Sequence, residues 1–178
     1  MDHPVLVVPG IGNSDASHWQ SKWQAAHPTW RRLEVDDWND VECHAWVSAL
    51  EEQTAANTGE LLVVAHSLGS LAVAHWATRH PRTIRGALLV AVPDPASPAF
   101  PAAAARGFAP VPVKPLPFPA IVVSSADDRY GSPAYARACA AAWGSECIDV
   151  GAKGHLNAES GLGDWPEGLR LLEKLSSR

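Results

Sequence analysis

The chain has 178 residues, 47% apolar and 19% charged, a balance that excludes a disordered or fibrous protein and suits one domain over 1–178. Fourteen basic against nineteen acidic side chains leave a formal charge of −5, the wrong sign for an electrostatic nucleic-acid binder. Cys43, Cys139 and Cys147 are an odd set without C-x-x-C spacing, which argues against a disulfide framework or a structural zinc and suits small buried thiols.

In chain order, the first strand signal is the aliphatic run Val5–Val8. No basic segment, long apolar stretch or small-residue cleavage site precedes it, and no run nears the eighteen or so residues of a membrane span, so a soluble cytoplasmic protein is expected. Helical spacing over 15–27 follows, with Trp19 and Trp23 four apart, then a weak strand over 31–35 and a helix over 43–57. Leu61–Ala65 reads as a buried strand and 68–80 as an amphipathic helix with Leu68, Leu71, Ala72 and Trp76 on one stripe. Another buried strand, Gly86–Val92, leads into residues 93–119, which hold nine of the fifteen prolines. That segment reads as a surface excursion with one short helical turn at Ala102–Ala105.

The strand Ile121–Val123 and a helix over 132–143 come next, the latter with Ser132 as N-cap and Pro133 at its first position. A weak strand over 147–150 and a helix over 165–176 finish the chain, the helix introduced by Asp164-Trp-Pro-Glu167, which reads as a capping box. Runs that are apolar throughout suit strands buried on both faces of a parallel sheet, and their alternation with helices predicts an α/β fold. Most of the eight tryptophans are expected to pack helices onto that sheet, whereas Trp38, just past a strand end, is a candidate pocket wall.

Ala65-His66-Ser67-Leu68-Gly69 joins a strand to a helix with almost no linker, the small-x-Ser-x-small pattern of a nucleophile elbow. The strained turn needs small residues two before and two after the serine, and Ala65 meets that need where glycine is commonest. Ser67 is therefore the candidate nucleophile, and the Leu68 N–H, at a helix N-terminus, a candidate oxyanion donor. A serine needs a base, and His155 alone among the eight histidines lies after a later strand, between Gly154 and Leu156 in a loop with bends at Gly151 and Gly154. The acid is Asp127 or Asp128, both at the end of the 121–123 strand, and spacing alone does not choose. Val8-Pro-Gly-Ile-Gly12 offers a second donor, the N–H of Ile11 ahead of that of Gly12. Gly10, His66 and Trp38 are further candidates for contact with substrate, although an elbow turns His66 away from the nucleophile.

With these residues the sequence resembles the α/β-hydrolase superfamily, and within it the small lidless serine hydrolases typified by retinoblastoma-binding protein 9. The likeness spans nearly the whole chain: Val-Pro-Gly after the first strand, His18-Trp19 and Trp23, Asp37-Trp38, the elbow, Asp127-Asp128 followed by an aromatic, and Gly154-His155-x-Asn157. The resemblance implies a three-layer α/β/α sandwich with about six parallel strands and no separate lid domain. It also implies a triad of Ser67, Asp128 and His155, acting through an acyl-enzyme without metal or cofactor; a site without a long lid suits small or medium acyl esters, while thioesters and amides share the same machinery and the sequence does not separate them. Asp128-Arg129-Tyr130 departs from the family's frequent Asp-Pro-Tyr, which bears on the shape of that loop.

Two rival readings exist. Gly10-x-Gly12 with Glu34 or Asp36 some twenty residues on suggests dinucleotide binding, but Asp15 occupies the third glycine position and would repel a pyrophosphate. The other rival keeps the fold as a protein-binding module without catalysis, although no partner is readable and a complete triad has no purpose there.

Overall fold

The structure, a computed structural model, describes residues 3–56, 59–81 and 83–177. The aliphatic runs become the inner strands β1 (Val5–Val8), β4 (Leu62–His66), β5 (Gly86–Val90) and β7 (Ala120–Ser124), in which every residue is buried. Flanked by β2 (Arg31–Arg32) and β8 (Glu146–Asp149), they form a six-stranded parallel sheet of order β2-β1-β4-β5-β7-β8.

Side chains alternate across each strand, so the sheet feeds two cores. Leu6, Val63, Leu89 and Val122 meet Trp46, Trp76 and Trp143 from α2 (Cys43–Thr54), α3 (Leu68–Arg79) and α4 (Pro133–Trp143). Val7, Val64, Leu88 and Ile121 meet Trp19 and Trp23 from α1 (Trp19–Ala26) and Leu172 and Leu175 from α5 (Pro166–Ser176). The result is the expected three-layer sandwich, with no separate lid among the described residues. Trp19, Trp23 and Trp165 form an edge-to-face and stacked trio with centroids 4.6, 4.9 and 5.8 Å apart. Cys43 and Cys139 are buried and Cys147 half-buried, all as free thiols.

Several boundaries differ from expectation for local reasons. The first helix begins at Trp19, because Asp15 spends its carboxylate on a turn, accepting the Ser17 and His18 N–H groups, and His18 caps instead through Nδ1. The helix expected over 43–57 ends at Thr54, and position 57 lies outside the described residues. β5 stops at Val90 because Ala91 takes φ +53°. Asp164 makes no capping box: Pro166 sets the first turn of α5, so the N-cap is Trp165, at φ +40° and without a side-chain cap. Its indole covers Gly168, where a methyl would collide with the ring. The excursion over 93–119 makes a helical turn after Pro101. It is then pinned by a parallel pair that sequence patterning did not suggest, β3 (Val41–Glu42) with β6 (Ala105–Arg106). Among the described residues no helix is long and apolar enough to cross a membrane.

Candidate active site

Because the sheet is parallel, the loops after β1, β4, β5, β7 and β8 all open at one edge, and except for Trp38, which follows β2, the residues singled out from sequence lie at or beside them. Ser67 follows β4 at φ +53° and ψ −126°, a conformation that costs a non-glycine residue about 1–3 kcal/mol. The surroundings over-determine it. The Ser67 N–H donates to the Val90 carbonyl at 2.8 Å, extending the ladder to β5, while its own carbonyl takes the Ser70 N–H at 2.9 Å. Gly69 lets α3 lie against the end of β1, since a Cβ there would fall 2.5 Å from the Val8 carbonyl oxygen. Gly10 is small for a similar reason, with a would-be methyl 2.9 Å from the Ser67 Cβ.

His155 Nε2 lies 2.8 Å from the Ser67 hydroxyl oxygen, and its Nδ1 lies 3.0 and 2.9 Å from the two carboxylate oxygens of Asp128. The Asp128 side chain is 1% exposed and that of His155 12%, so both work largely out of water. Asp128 also accepts the Tyr130 N–H at 2.9 Å, and the Tyr130 ring sits 4.4 Å from the imidazole. The neighbouring carboxylate is elsewhere: Asp127 accepts the Gly154 N–H and the Ser125 hydroxyl. Spacing left these two open, and the fold brings Asp128 to the ring.

The Gly12 N–H is taken by the Trp38 carbonyl at 2.8 Å. Among the described residues the Ile11 and Leu68 amides donate to no other group, and both residues line a cavity of about 520 Å³ beside Ser67. Gly10, His18, His66 and His155 line it too, as do Pro93, Phe100 and Pro101 of the excursion, so that segment forms one wall. Trp38 does not line it. This corrects its reading as a wall: its ring packs on Trp46 with centroids 5.3 Å apart, and it borders a separate depression with Arg32 and Leu33.

Burial holds the His66 imidazole well below its ordinary pKa, so the ring is neutral. Its Nε2 faces the His155 carbonyl at 2.9 Å and must carry the proton there. His18, edge-on to His66 at 4.8 Å, is pushed down to about 4 by burial, with Asp15 opposing the shift. Among the described residues no group of three His, Cys, Asp or Glu side chains could hold a metal.

A family model for serine hydrolases matches residues 5–174 of the chain. The chain belongs to the serine hydrolase family. A YdeN-like hydrolase of Pectobacterium atrosepticum is 33% identical with a TM-score of 0.85, the match covering 98% of this chain and 90% of that one. The ydeN gene product of Bacillus subtilis is 18% identical at TM-score 0.75 (99% and 100% covered). A thermophilic esterase of Thermogutta terrifontis is 17% identical at 0.67 (99% and 89%). At these lower identities the likeness is one of fold. No curated protein matches the chain in sequence.

Three features in or around this serine hydrolase's candidate site carry no signal in the sequence. Phe100 and Pro101 lie in a proline-rich stretch without periodicity, so nothing marked them as pocket wall. Ser125 is fully buried, with its hydroxyl accepting the Lys153 N–H at 2.9 Å, and a serine after a strand carries no signal of that role. Gln20, also fully buried, ties α1 to the sheet by donating to the Val8 and Val64 carbonyls at 3.3 and 3.1 Å, and was hidden among helix-surface residues.

Proposed function

We propose that this hydrolase cleaves small and medium acyl esters through an acyl-enzyme on Ser67. The observation that carries the reading is the line of hydrogen bonds from Asp128 through His155 to the Ser67 hydroxyl at 2.8 Å. His155 Nε2 takes the hydroxyl proton as Oγ attacks the ester carbonyl, and Asp128 holds Nδ1 protonated and stabilises the imidazolium. Negative charge then develops on the former carbonyl oxygen, where the Ile11 and Leu68 amides are available to receive it. His155 gives its proton to the leaving alcohol. Water, deprotonated by the same imidazole, then releases the acid and restores Ser67. Side chains and main chain supply every step, so neither metal nor organic cofactor is required.

The cavity supports the substrate class. About 520 Å³ is the volume of a site for a compact molecule. Its lining includes apolar surface from Pro93, Phe100, Pro101 and Tyr130 and polar groups of Asn13, Asp15, Asn157 and Glu159. A lining of both kinds suits a substrate with an apolar acyl group and a polar alcohol portion. The Thermogutta terrifontis relative, which shares the fold, is an esterase and agrees with this reading.

The test is hydrolysis of a p-nitrophenyl ester series from acetate to palmitate, with thioester and amide counterparts and Ser67→Ala as control. Turnover should favour the shorter esters and vanish in the variant. Preference for palmitate, or for amides over esters, would contradict the assignment.

A further inference from the structure

Asp127 has no part in the chemistry above, yet it is tied into the loop that carries the base. Its Oδ1 accepts the Gly154 N–H at 2.7 Å and faces the Ser125 hydroxyl at 2.9 Å. Gly154 is the residue before His155 and stands at φ +60°. The same Ser125 oxygen accepts the Lys153 N–H at 2.9 Å and lies 3.0 Å from the Gly151 carbonyl, so its single proton serves Asp127 or Gly151 in turn.

Beyond the histidine, His66 Nε2 donates to the His155 carbonyl at 2.9 Å and the Trp19 indole donates to the Leu156 carbonyl at 2.7 Å. Each residue from Lys153 to Leu156 is thus held by a side chain from outside the loop. Adjacent residues at the end of one strand grip the base in two ways: Asp128 by its ring, Asp127 by the peptide that precedes it. A carboxylate makes the Gly154 bond charge-assisted, which strengthens it. That bond is also the leading cause of the lowered pKa of the Asp127 carboxyl.

We propose that Asp127 is a positioning residue, acting through the Gly154 N–H to hold the His155 imidazole against Ser67. The inference rests on the triad reading above, and Ser67→Ala measured alongside separates the two. Abolished turnover in that variant upholds the triad whatever Asp127 does.

The experiment compares Asp127→Ala, Asp127→Asn and Ser125→Ala on a short p-nitrophenyl ester, with kcat counted per folded protein, the folded fraction being measured by circular dichroism and thermal melting. Asp127→Ala should lower kcat about tenfold with KM nearly unchanged, less than the roughly 10²-fold cost of a 1 Å misplacement. Asp127→Asn should recover most of that loss, because an amide oxygen still accepts from Gly154. A wild-type kcat in Asp127→Ala, a rise in KM alone, or an Asp127→Asn as impaired as the alanine variant would overturn the proposal. If Asp127→Ala does not fold, Ser125→Ala decides. It should lower kcat at constant KM, and an unchanged kcat there overturns the proposal equally.

Discussion

Replacing Gly69 by alanine sets helix propensity against close packing, and the two terms have opposite signs. Gly69 is in the first turn of α3, where alanine would ordinarily stabilise a helix by up to about 1 kcal/mol. The added methyl would fall 2.5 Å from the Val8 carbonyl oxygen, no farther from that of Pro9, and 3.0 Å from the Val8 Cγ1, where ordinary contact begins at 3.4 Å. The obstacle is main chain, so no rotamer change relieves it, and the end of β1 has to retreat by close to an ångström. Overpacking of this kind costs about 1–3 kcal/mol, occasionally more, and rigid carbonyls put it at the upper end. The net expectation is about 2 kcal/mol of destabilisation, a Tm lower by about 4–8 °C for a chain of this size. The retreat also moves the Ile11 amide, so ester turnover should fall by an order of magnitude or more, given roughly 10²-fold per ångström of misplacement. Calorimetry and the ester assay on Gly69→Ala measure both. An unchanged or raised Tm with full activity would refute the argument that the elbow requires a small residue there.

Two more predictions follow from the buried groups. Asp128→Asn presents an amide N–H₂ to Nδ1, which favours the imidazole tautomer with its proton on Nε2, unable to accept from Ser67. The kcat should drop by about 10⁴-fold with KM little changed, and a loss below tenfold would contradict the role given to Asp128. Stability should fall on acidification below the ordinary histidine value of 6.5, because burial depresses both His18, to about 4, and His66 in the folded state. The unfolded chain binds protons in that window that the folded chain refuses, so each histidine removes up to about 1.4 kcal/mol per pH unit as pH drops, and nothing above it. Urea denaturation from neutral pH downward should show the slope. His18→Asn, which keeps an acceptor for the Gln20 N–H but does not titrate, should flatten it, and an unchanged slope would be contrary evidence.

Much of the architecture was legible because its causes are local. Val5–Val8, the run around Leu62 and the run around Leu88 are apolar on both faces, and only a covered parallel sheet accommodates that. The elbow was legible because its strain restricts Ala65 and Gly69 to small residues, and His155 because chain order left no other histidine after a late strand. What sequence could not resolve depends on three-dimensional choice. Asp127 and Asp128 are chemically identical neighbours, and only the course of the chain after β7 turns one to the ring and the other to the Gly154 amide. Trp165 as N-cap and Trp38 outside the pocket follow from tertiary packing that overrides a local motif. Phe100 reaches the cavity through a proline-rich path held by scattered long-range bonds, such as Trp143 Nε1 to the Pro112 carbonyl and a pair of two-residue strands, none of which leaves a periodic signal in the sequence.

The most direct test of the account is labelling of the purified protein by a fluorophosphonate, read by intact mass and peptide mapping, with His155→Ala alongside. The account predicts one label per chain, on Ser67, and near-complete loss of labelling in the histidine variant. Folded protein that takes no label, or takes it on another residue, would contradict an activated Ser67 and favour a hydrolase-fold binding protein instead.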